Sequence, residues 1–194
     1  MKKSTIITLV ALAVVILSGI IAYNSLVTLE EAVSNRWAYV ESQYQRRSDL
    51  IPNLVATVKG YAKHESETLE SVVAARTKAT QLTVNAENLT PEKLQEFQAA
   101  QGAVSSALGR LLAIAENYPD LKANQNFLEL QAELAGTENR IAVERNRYNE
   151  AAKELNVAIR RFPKSIIASM FEFDKKPYFE AEEGAKALPK VSFE

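Results

Sequence analysis

The stretch FLELQAELAGTENRIAVERNRYNEAAKELNVAIRRFP, residues 127–163, predicts the fold. Large apolar side chains recur in it at a constant spacing of seven residues: Phe127, Leu134, Ile141, Tyr148, Leu155 and Phe162. Such a repeat keeps one apolar seam of a helix facing its partners and favours a left-handed coiled coil. Pro163 then ends the helix, because proline has no backbone N–H. The stretch therefore predicts one long helix that packs against other helices along its whole length.

The chain before this stretch has the same helical periodicity. Apolar residues step by three and four between Leu26 and Val72, and again between Leu94 and Tyr118. No run alternates apolar and polar residues as a half-buried strand would. The sequence therefore predicts an all-α protein, in which residues 26–163 form an antiparallel bundle of long helices.

The stretch RRSDLIPNLVATVKGYAKHE, residues 46–65, places a proline and a glycine inside this pattern. Two interpretations stay open. In the first, the bundle has three long helices plus a short C-terminal one, and the first helix is kinked at Pro52. In the second, it has four helices with a break near Pro52, and Ser48 or Asp49 caps the new helix. The apolar phase continues through Pro52, which favours the kink. Gly60 costs about 1 kcal/mol relative to alanine in a helix, so it predicts the close approach of a neighbouring helix.

The N-terminal segment MKKSTIITLVALAVVILSGIIAYNSLVTLEE predicts a membrane anchor at residues 1–25. Residues 4–23 carry no charge, and about 20 helical residues cross a hydrocarbon core of about 30 Å. A cleaved secretory signal has a shorter apolar region and an A-x-A site, which this segment lacks. Lys2 and Lys3 precede the span and the next basic residue is Arg36, so a cytoplasmic N-terminus and a bundle outside the cytoplasm are favoured.

Composition excludes several classes of partner and chemistry. The chain has 23 basic and 24 acidic residues and a net charge of -1. Without a basic surplus to neutralise phosphates, nucleic acid is not expected as a partner. The chain has no cysteine, which excludes disulfides, thiol nucleophiles and cysteine-ligated zinc.

Candidate catalytic groups are sparse. His64 is the chain's single histidine, and a zinc site needs more ligands than one histidine and one glutamate. A catalytic hypothesis would pair the carboxylates of Glu138 and Glu144. The simpler interpretation is a polar layer that sets the register of the helices, with Arg46 and Arg47 solvated. The sequence therefore predicts no catalytic residue, no metal site and no cofactor.

The region after Pro163, residues 164–194, is predicted to be a short helix that caps the bundle, followed by a flexible tail. The tail has no helical seam but keeps four apolar candidate anchors: Tyr178, Phe179, Val191 and Phe193. Two alternatives stay open for them. They could bind a partner as an added strand or in a groove, or they could fold back on the bundle of the same chain.

Four stretches together resemble bacterial LemA proteins over almost the whole chain: YNSLV at residues 23–27, RRSDLIPNLVATVKGYAKHE, residues 118–163, and KKPYFEA at residues 175–181. The sequence departs from that pattern at Leu155 and around residues 170–173. The resemblance implies a membrane-anchored, mostly helical protein with no assigned enzymatic activity, often encoded near a membrane protease or a TPM-domain protein. The family-like pattern, interpreted as structural or interaction residues, falls on Asp49, Pro52, Asn53, Lys59, Gly60, His64, Glu65, Glu133, Glu138, Arg140, Arg145, Asn146, Tyr148 and Asn149.

Three functional hypotheses follow. The leading one is a non-enzymatic scaffold or adaptor of the bacterial cell envelope, anchored in the cytoplasmic (inner) membrane, which acts through an envelope protein partner such as a membrane protease or TPM-domain protein, or as a homo-oligomer. The second is a regulatory sensor or enzyme that uses a buried Glu/Arg/His cluster, and it requires these groups to converge. The third is a lipid-binding or small-molecule-binding bundle, which requires an apolar cavity between the helices.

Overall fold

Residues 3–180, the part of the chain that the computed structural model describes, form six α-helices and no strand. The helices are α1 (Lys3–Tyr61), α2 (Ser66–Gln81), α3 (Pro91–Ala115), α4 (Pro119–Lys122), α5 (Gln125–Ala158) and α6 (Lys164–Met170), with a 3-10 turn (Ala86–Asn88) between α2 and α3. Thr90 caps α3 by accepting a hydrogen bond from the Lys93 backbone N–H. The prediction of an all-α bundle is confirmed.

The first helix is continuous for 59 residues and contains Pro52 in its interior. The chain turns only after Tyr61, so the break lies at residues 62–65 and not at Pro52. Proline cannot donate to the carbonyl four residues earlier, and that carbonyl, on Ser48, accepts a hydrogen bond of 2.8 Å from Arg76 Nε of α2 instead. Because of Pro52, a backbone carbonyl of α1 is available to bind Arg76 of α2.

The prediction for Gly60 is wrong. A Cβ added at this position would meet nothing within 4 Å, and the residue is exposed. Gly60 lies in the last turn of α1, where no neighbouring helix approaches it. Gly60 instead lies just before the turn at residues 62–65 that joins α1 to α2.

Contacts between side chains show that α5 runs antiparallel to α1. Trp37 lies beside Tyr148, with ring centroids 5.6 Å apart, whereas Tyr61 near the end of α1 accepts a hydrogen bond from Asn124 at the start of α5. α2 and α3 form a hairpin that packs on the part of α1 farthest from the apolar N-terminal segment.

Two apolar clusters, separated along the bundle axis, form the core. The proximal core, on the side of the N-terminal segment, includes Leu26, Trp37, Phe97, Tyr148 and Leu155. The distal core includes Ile51, Leu54, Leu111, Phe127 and Leu134.

The predicted heptad seam is buried only as far as α5 extends. Its first five positions, from Phe127 to Leu155, are buried, but Phe162 is 81% exposed. The assignment of Phe162 to the seam is therefore wrong. The seven-residue spacing continues past the point where the helix ends, at Ala158.

The N-terminal part of α1 projects beyond the bundle. Large apolar side chains between Ile6 and Ile21 are exposed, and the first completely buried one is Leu26. Among the helices of residues 3–180, α1 is the one long and apolar enough to cross a membrane. This segment therefore indicates a membrane anchor, and α1 continues from it into the bundle without interruption.

Candidate functional site

An extended segment of the chain lies in a groove on the proximal half of the bundle. After α6 the chain reverses, and residues 176–180, which we call the tail segment, run without helical structure along α5. We call the site that holds them the tail-binding groove; its walls come from α1, α3 and α5.

Two asparagines of α5 bind the backbone of the tail segment. Asn156 donates from Nδ2 to the Lys176 carbonyl (2.8 Å) and accepts from the Lys176 N–H through Oδ1 (2.9 Å). Asn149 makes the same pair of bonds with Phe179, at 3.0 and 2.9 Å. Each amide thus satisfies one donor and one acceptor, as a neighbouring β-strand would.

The spacing of the two asparagines matches an extended chain. Seven helical residues rise about 10.5 Å at about 1.5 Å each, and three extended residues span about 10 Å. Asn149 and Asn156 are seven apart, and their partners Phe179 and Lys176 are three apart. The distance between the two asparagines along α5 therefore matches the distance between Lys176 and Phe179 along the extended tail segment.

Phe179 is the side-chain anchor of the tail segment and is 6% exposed. Its ring stacks on Trp37 at 5.8 Å and meets Tyr148 edge-on at 5.4 Å. The guanidinium of Arg145 lies 4.9 Å from the same ring, a favourable cation–π arrangement. Phe179 thereby completes an aromatic part of the proximal core.

The Tyr148 hydroxyl donates to the Pro177 carbonyl at 3.1 Å. Burial raises the pKa of Tyr148 well above its ordinary value, and the neighbouring Tyr178 adds to the increase. The hydroxyl therefore stays protonated and remains a donor through the neutral pH range.

Both ends of the tail segment are also held. The Lys176 ammonium is buried and pairs with Glu30 of α1 at 3.0 Å. At the other end, the Glu180 carbonyl accepts from Gln98 of α3 (3.2 Å) and from Arg145 (2.9 Å). These contacts fix the positions of Lys176 and Glu180 on the bundle.

Predicted tail anchors divide into three groups. Phe179 is buried against its own bundle, as one of the two alternatives expected, whereas Tyr178 is 44% exposed. Val191 and Phe193 lie outside the described residues.

A buried arginine that the sequence interpretation missed separates the two cores. Arg47 is 2% exposed, so the prediction that it is solvated is wrong. Its guanidinium donates to Glu138 (2.6 Å), to Ser105 (2.7 Å), and to the side chain (2.6 Å) and carbonyl (3.1 Å) of Gln101. A buried guanidinium requires such partners because an unpaired charge in the interior is costly.

A sequence signal for Arg47 existed. The residue is three positions after Tyr44 and four before Ile51, so it occupies a core position of the apolar series. Beside Arg47, a cleft of about 110 Å³ is also lined by Ser48 and Arg76. That cleft is smaller than the roughly 300 Å³ at which small-molecule sites begin, whereas two hollows of about 1010 and 710 Å³ lie open on the surface near α6.

The structure does not bring His64, Glu138 and Glu144 together. Asn124 contacts Tyr61 beside the turn that contains His64, and Glu138 follows Asn124 by 14 residues, or about 20 Å of helix. Glu144 pairs instead with Arg147 at 2.6 Å. Within residues 3–180 no group of three or more histidine, aspartate or glutamate side chains could hold a metal ion.

The other predicted site residues are mostly on the surface. Glu65 accepts a hydrogen bond from the Tyr118 hydroxyl at 3.0 Å, and this bond raises the pKa of Tyr118. Exposed positions are Asp49, Pro52, Asn53, Lys59, Gly60, His64, Glu133, Arg140 and Asn146. Of the predicted set, Arg145, Tyr148 and Asn149 meet at the tail-binding groove, where each contacts Phe179.

Comparison with known proteins places the chain among its relatives. Magnetosome protein MamQ 2 of Paramagnetospirillum magneticum is 27% identical over 90% of this chain and 71% of its own length. Magnetosome protein MamQ of Magnetospirillum gryphiswaldense is 29% identical over 89% and 70%. Protein LemA of Metamycoplasma hominis is 25% identical over 82% and 69%. The LemA family model matches residues 36–193, so this protein belongs to the LemA family.

Proposed function

We propose that this protein is a non-enzymatic, membrane-anchored scaffold that binds other envelope proteins at the surface around the tail-binding groove. The observation that carries the proposal is the double backbone contact of Asn149 and Asn156 with an extended segment. Recognition through main-chain hydrogen bonds, with one side chain in a pocket, is a common way in which proteins bind peptides.

The geometry of the tail segment supports a presenting role. Phe179 and Lys176 point into the bundle, while Tyr178 stays 44% exposed on the outer side. Arg145 and Gln98 hold the Glu180 carbonyl, so the chain beyond it starts from a defined point. We propose that Tyr178 and the residues beyond Glu180, with Val191 and Phe193 as apolar anchors, form the partner-binding segment.

The proposed location is the cytoplasmic membrane of a bacterium, with the N-terminus in the cytoplasm and the bundle outside. Support comes from the exposed apolar segment of α1 and from Lys2 and Lys3 before it. The proposed partners are a membrane protease, a TPM-domain protein or a second copy of this chain. None of the relatives' names states a reaction, which is consistent with a scaffold.

The proposal can be tested by site-specific photo-cross-linking of the full chain in native membranes. One variant carries the cross-linking amino acid at Tyr178, and the matched control carries it at Val73 of α2. The two positions have nearly equal exposure, 44% and 46%, so unequal yields would not reflect accessibility. Products are identified by mass spectrometry, and the mass of the native complex is measured on the same membranes.

We expect a discrete adduct with an envelope protein from position 178 and none from position 73. An adduct between two copies of the chain would identify the partner as a homo-oligomer. Equal product patterns at both positions, or none at position 178, would overturn the scaffold proposal for this surface.

A further inference from the structure

Four exposed apolar side chains are concentrated in ten residues at the proximal end of the bundle. Phe162, Ile166, Met170 and Phe171 are 81%, 52%, 68% and 55% exposed. Elsewhere in the described bundle, exposed large apolar residues occur singly: Tyr39, Tyr61, Val73, Leu128, Val143 and Tyr178. Scattered residues need no explanation, but a cluster on a soluble surface marks an interaction site.

This cluster lies beside the end of the apolar N-terminal segment. Lys164 Nζ donates to Ser25 Oγ at 2.7 Å, and the Phe171 ring lies 4.8 Å from Tyr23. Deeper along α1, Ile167 Cδ1 lies 3.8 Å from where a Cβ on Gly19 would be. α6 therefore packs across the last turns of the segment that indicates a membrane anchor.

The depth of this contact follows from helix geometry. The predicted 20-residue span, residues 4–23, ends at Tyr23, and Gly19 precedes Tyr23 by four residues, or about 6 Å. Helices that lie in a membrane interface bury their apolar face about 5–10 Å into the boundary between headgroups and acyl chains. The contact of Ile167 with Gly19 places α6 within that depth.

α6 has two unlike faces. Ala168 is 4% exposed and, with the partly buried Ile167, packs toward the bundle. Ile166 and Met170 are four residues apart, so they share the other face. Arg160 and Arg161, which directly precede the cluster, are exposed and suit phosphate headgroups.

We propose that residues 162–171 form an interfacial foot, in which Phe162, Ile166, Met170 and Phe171 insert into the bilayer beside the membrane-spanning part of α1. A lipid occupant follows from continuity, because the cluster extends the same exposed apolar surface that the span presents. The bundle then has two membrane contacts, the span and the foot. Since α1 is one continuous helix, these two contacts determine the orientation of the whole bundle on the membrane. The inference rests on the proposed membrane anchor and is independent of the tail-binding groove.

The test uses the absence of cysteine from the chain. Single-cysteine variants of the full chain, Phe162→Cys and Met170→Cys, are spin-labelled and reconstituted in vesicles of phosphatidylcholine and phosphatidylglycerol. Collision rates with oxygen, which partitions into lipid, and with a water-soluble nickel chelate are measured by electron paramagnetic resonance. Val14→Cys in the span serves as the lipid reference, and Val143→Cys on α5 as the water reference; these side chains are 57% and 47% exposed.

We expect the labels at positions 162 and 170 to resemble position 14, with collisions with oxygen severalfold above those with the nickel chelate. Labels at these positions that resemble position 143, while position 14 stays in lipid, would overturn the foot and leave the anchor intact. Protection from both reagents would indicate that protein covers the cluster and would also overturn the proposal. If position 14 itself faced water, the anchor and the foot would fail together. Unchanged Trp37 emission verifies that each labelled chain is folded.

Discussion

Arg47 shows how one buried side chain determines the register of two helices. Replacing a buried ion pair with apolar residues is often neutral or stabilising, so the pair with Glu138 is poor evidence for stability by itself. Its effect on alignment is stronger. A slip of α5 by one heptad would place either Gln131 or Arg145 opposite Arg47, which loses the ion pair or creates repulsion. The polar layer between the two cores therefore favours one alignment of α1 with α5.

Tyr148 gives the bundle a defined response to alkaline pH. Burial holds its folded-state pKa above the unfolded value of about 10. Above about pH 10 the unfolded chain releases this proton while the folded chain keeps it, so rising pH favours unfolding. We expect the free energy of unfolding to fall by up to about 1.4 kcal/mol per pH unit through this group.

The matched control is Tyr148→Phe, which keeps the ring but cannot ionise. Both full chains are unfolded with urea in detergent micelles, and unfolding is followed by Trp37 fluorescence. The difference between their pH profiles isolates the contribution of Tyr148, because both chains keep the other six tyrosines. Between about pH 10 and 11 the parent should lose about 1 kcal/mol more than the variant. Parallel pH profiles would show that Tyr148 ionises equally easily in both states.

At the scale of elements, Pro52 and Arg76 should be energetically coupled. The Ser48 carbonyl, which Pro52 leaves without its helical partner, accepts from Arg76 Nε. Replacing Arg76 with alanine would leave a partly buried carbonyl short of a donor, at a cost of about 1–3 kcal/mol. In a Pro52→Ala background the restored backbone N–H would supply that donor, and we expect the Arg76→Ala penalty to fall by at least about half.

A double-mutant cycle measures this coupling. The four full chains (parent, two single variants and the double variant) are unfolded in urea, with helix content followed by circular dichroism. Arg140→Ala, an exposed arginine of α5, controls for loss of a surface charge. Additive penalties, with no coupling between positions 52 and 76, would contradict the role assigned to Pro52.

The elements differ in how far sequence could predict them. Helices α1, α3 and α5 could be predicted from apolar periodicity, because burial of one face dominates their stability. Phe162 was assigned wrongly because a seven-residue spacing persists by coincidence beyond Ala158. Arg47 was missed because local reasoning treats a charge as solvated, and its partners lie on α3 and α5. The pairing of Asn149 with Phe179 joins residues 30 apart, and no local pattern specifies that contact.

At the scale of the whole molecule, the tail segment covers a part of the proximal core that the short helix α2 does not reach. α2 has 16 residues and α5 has 34, so the α2–α3 hairpin covers the distal core but not all of the proximal one. Phe179 fills part of that gap beside Trp37. The tail segment is therefore both part of the core and, in the proposed function, the base of the partner-binding segment.

Two matched truncations test this arrangement. Deleting residues 176–194 removes Phe179 from the core, and we expect a loss of about 3 kcal/mol, as for truncation of a buried phenylalanine. Emission of Trp37, the chain's single tryptophan, should shift to longer wavelength because its stacked face becomes open to water. Helix content should be unchanged, since residues 176–180 contain no helix. Both are measured on full-length and truncated chains in the same micelles.

Deleting residues 181–194 alone provides the control, because it keeps the described contacts of the groove, which residues 176–180 make. This shorter deletion should leave Trp37 emission and stability at the parent values but abolish the cross-linked adduct, if the residues beyond Glu180 bind the partner. Equal red shifts in both truncations would mean that the groove does not hold residues 176–180 by itself. If the adduct persisted after the shorter deletion, the partner would bind at Tyr178 and the rim of the groove rather than at residues 181–194. The two deletions therefore separate the structural contribution of the tail from its proposed function.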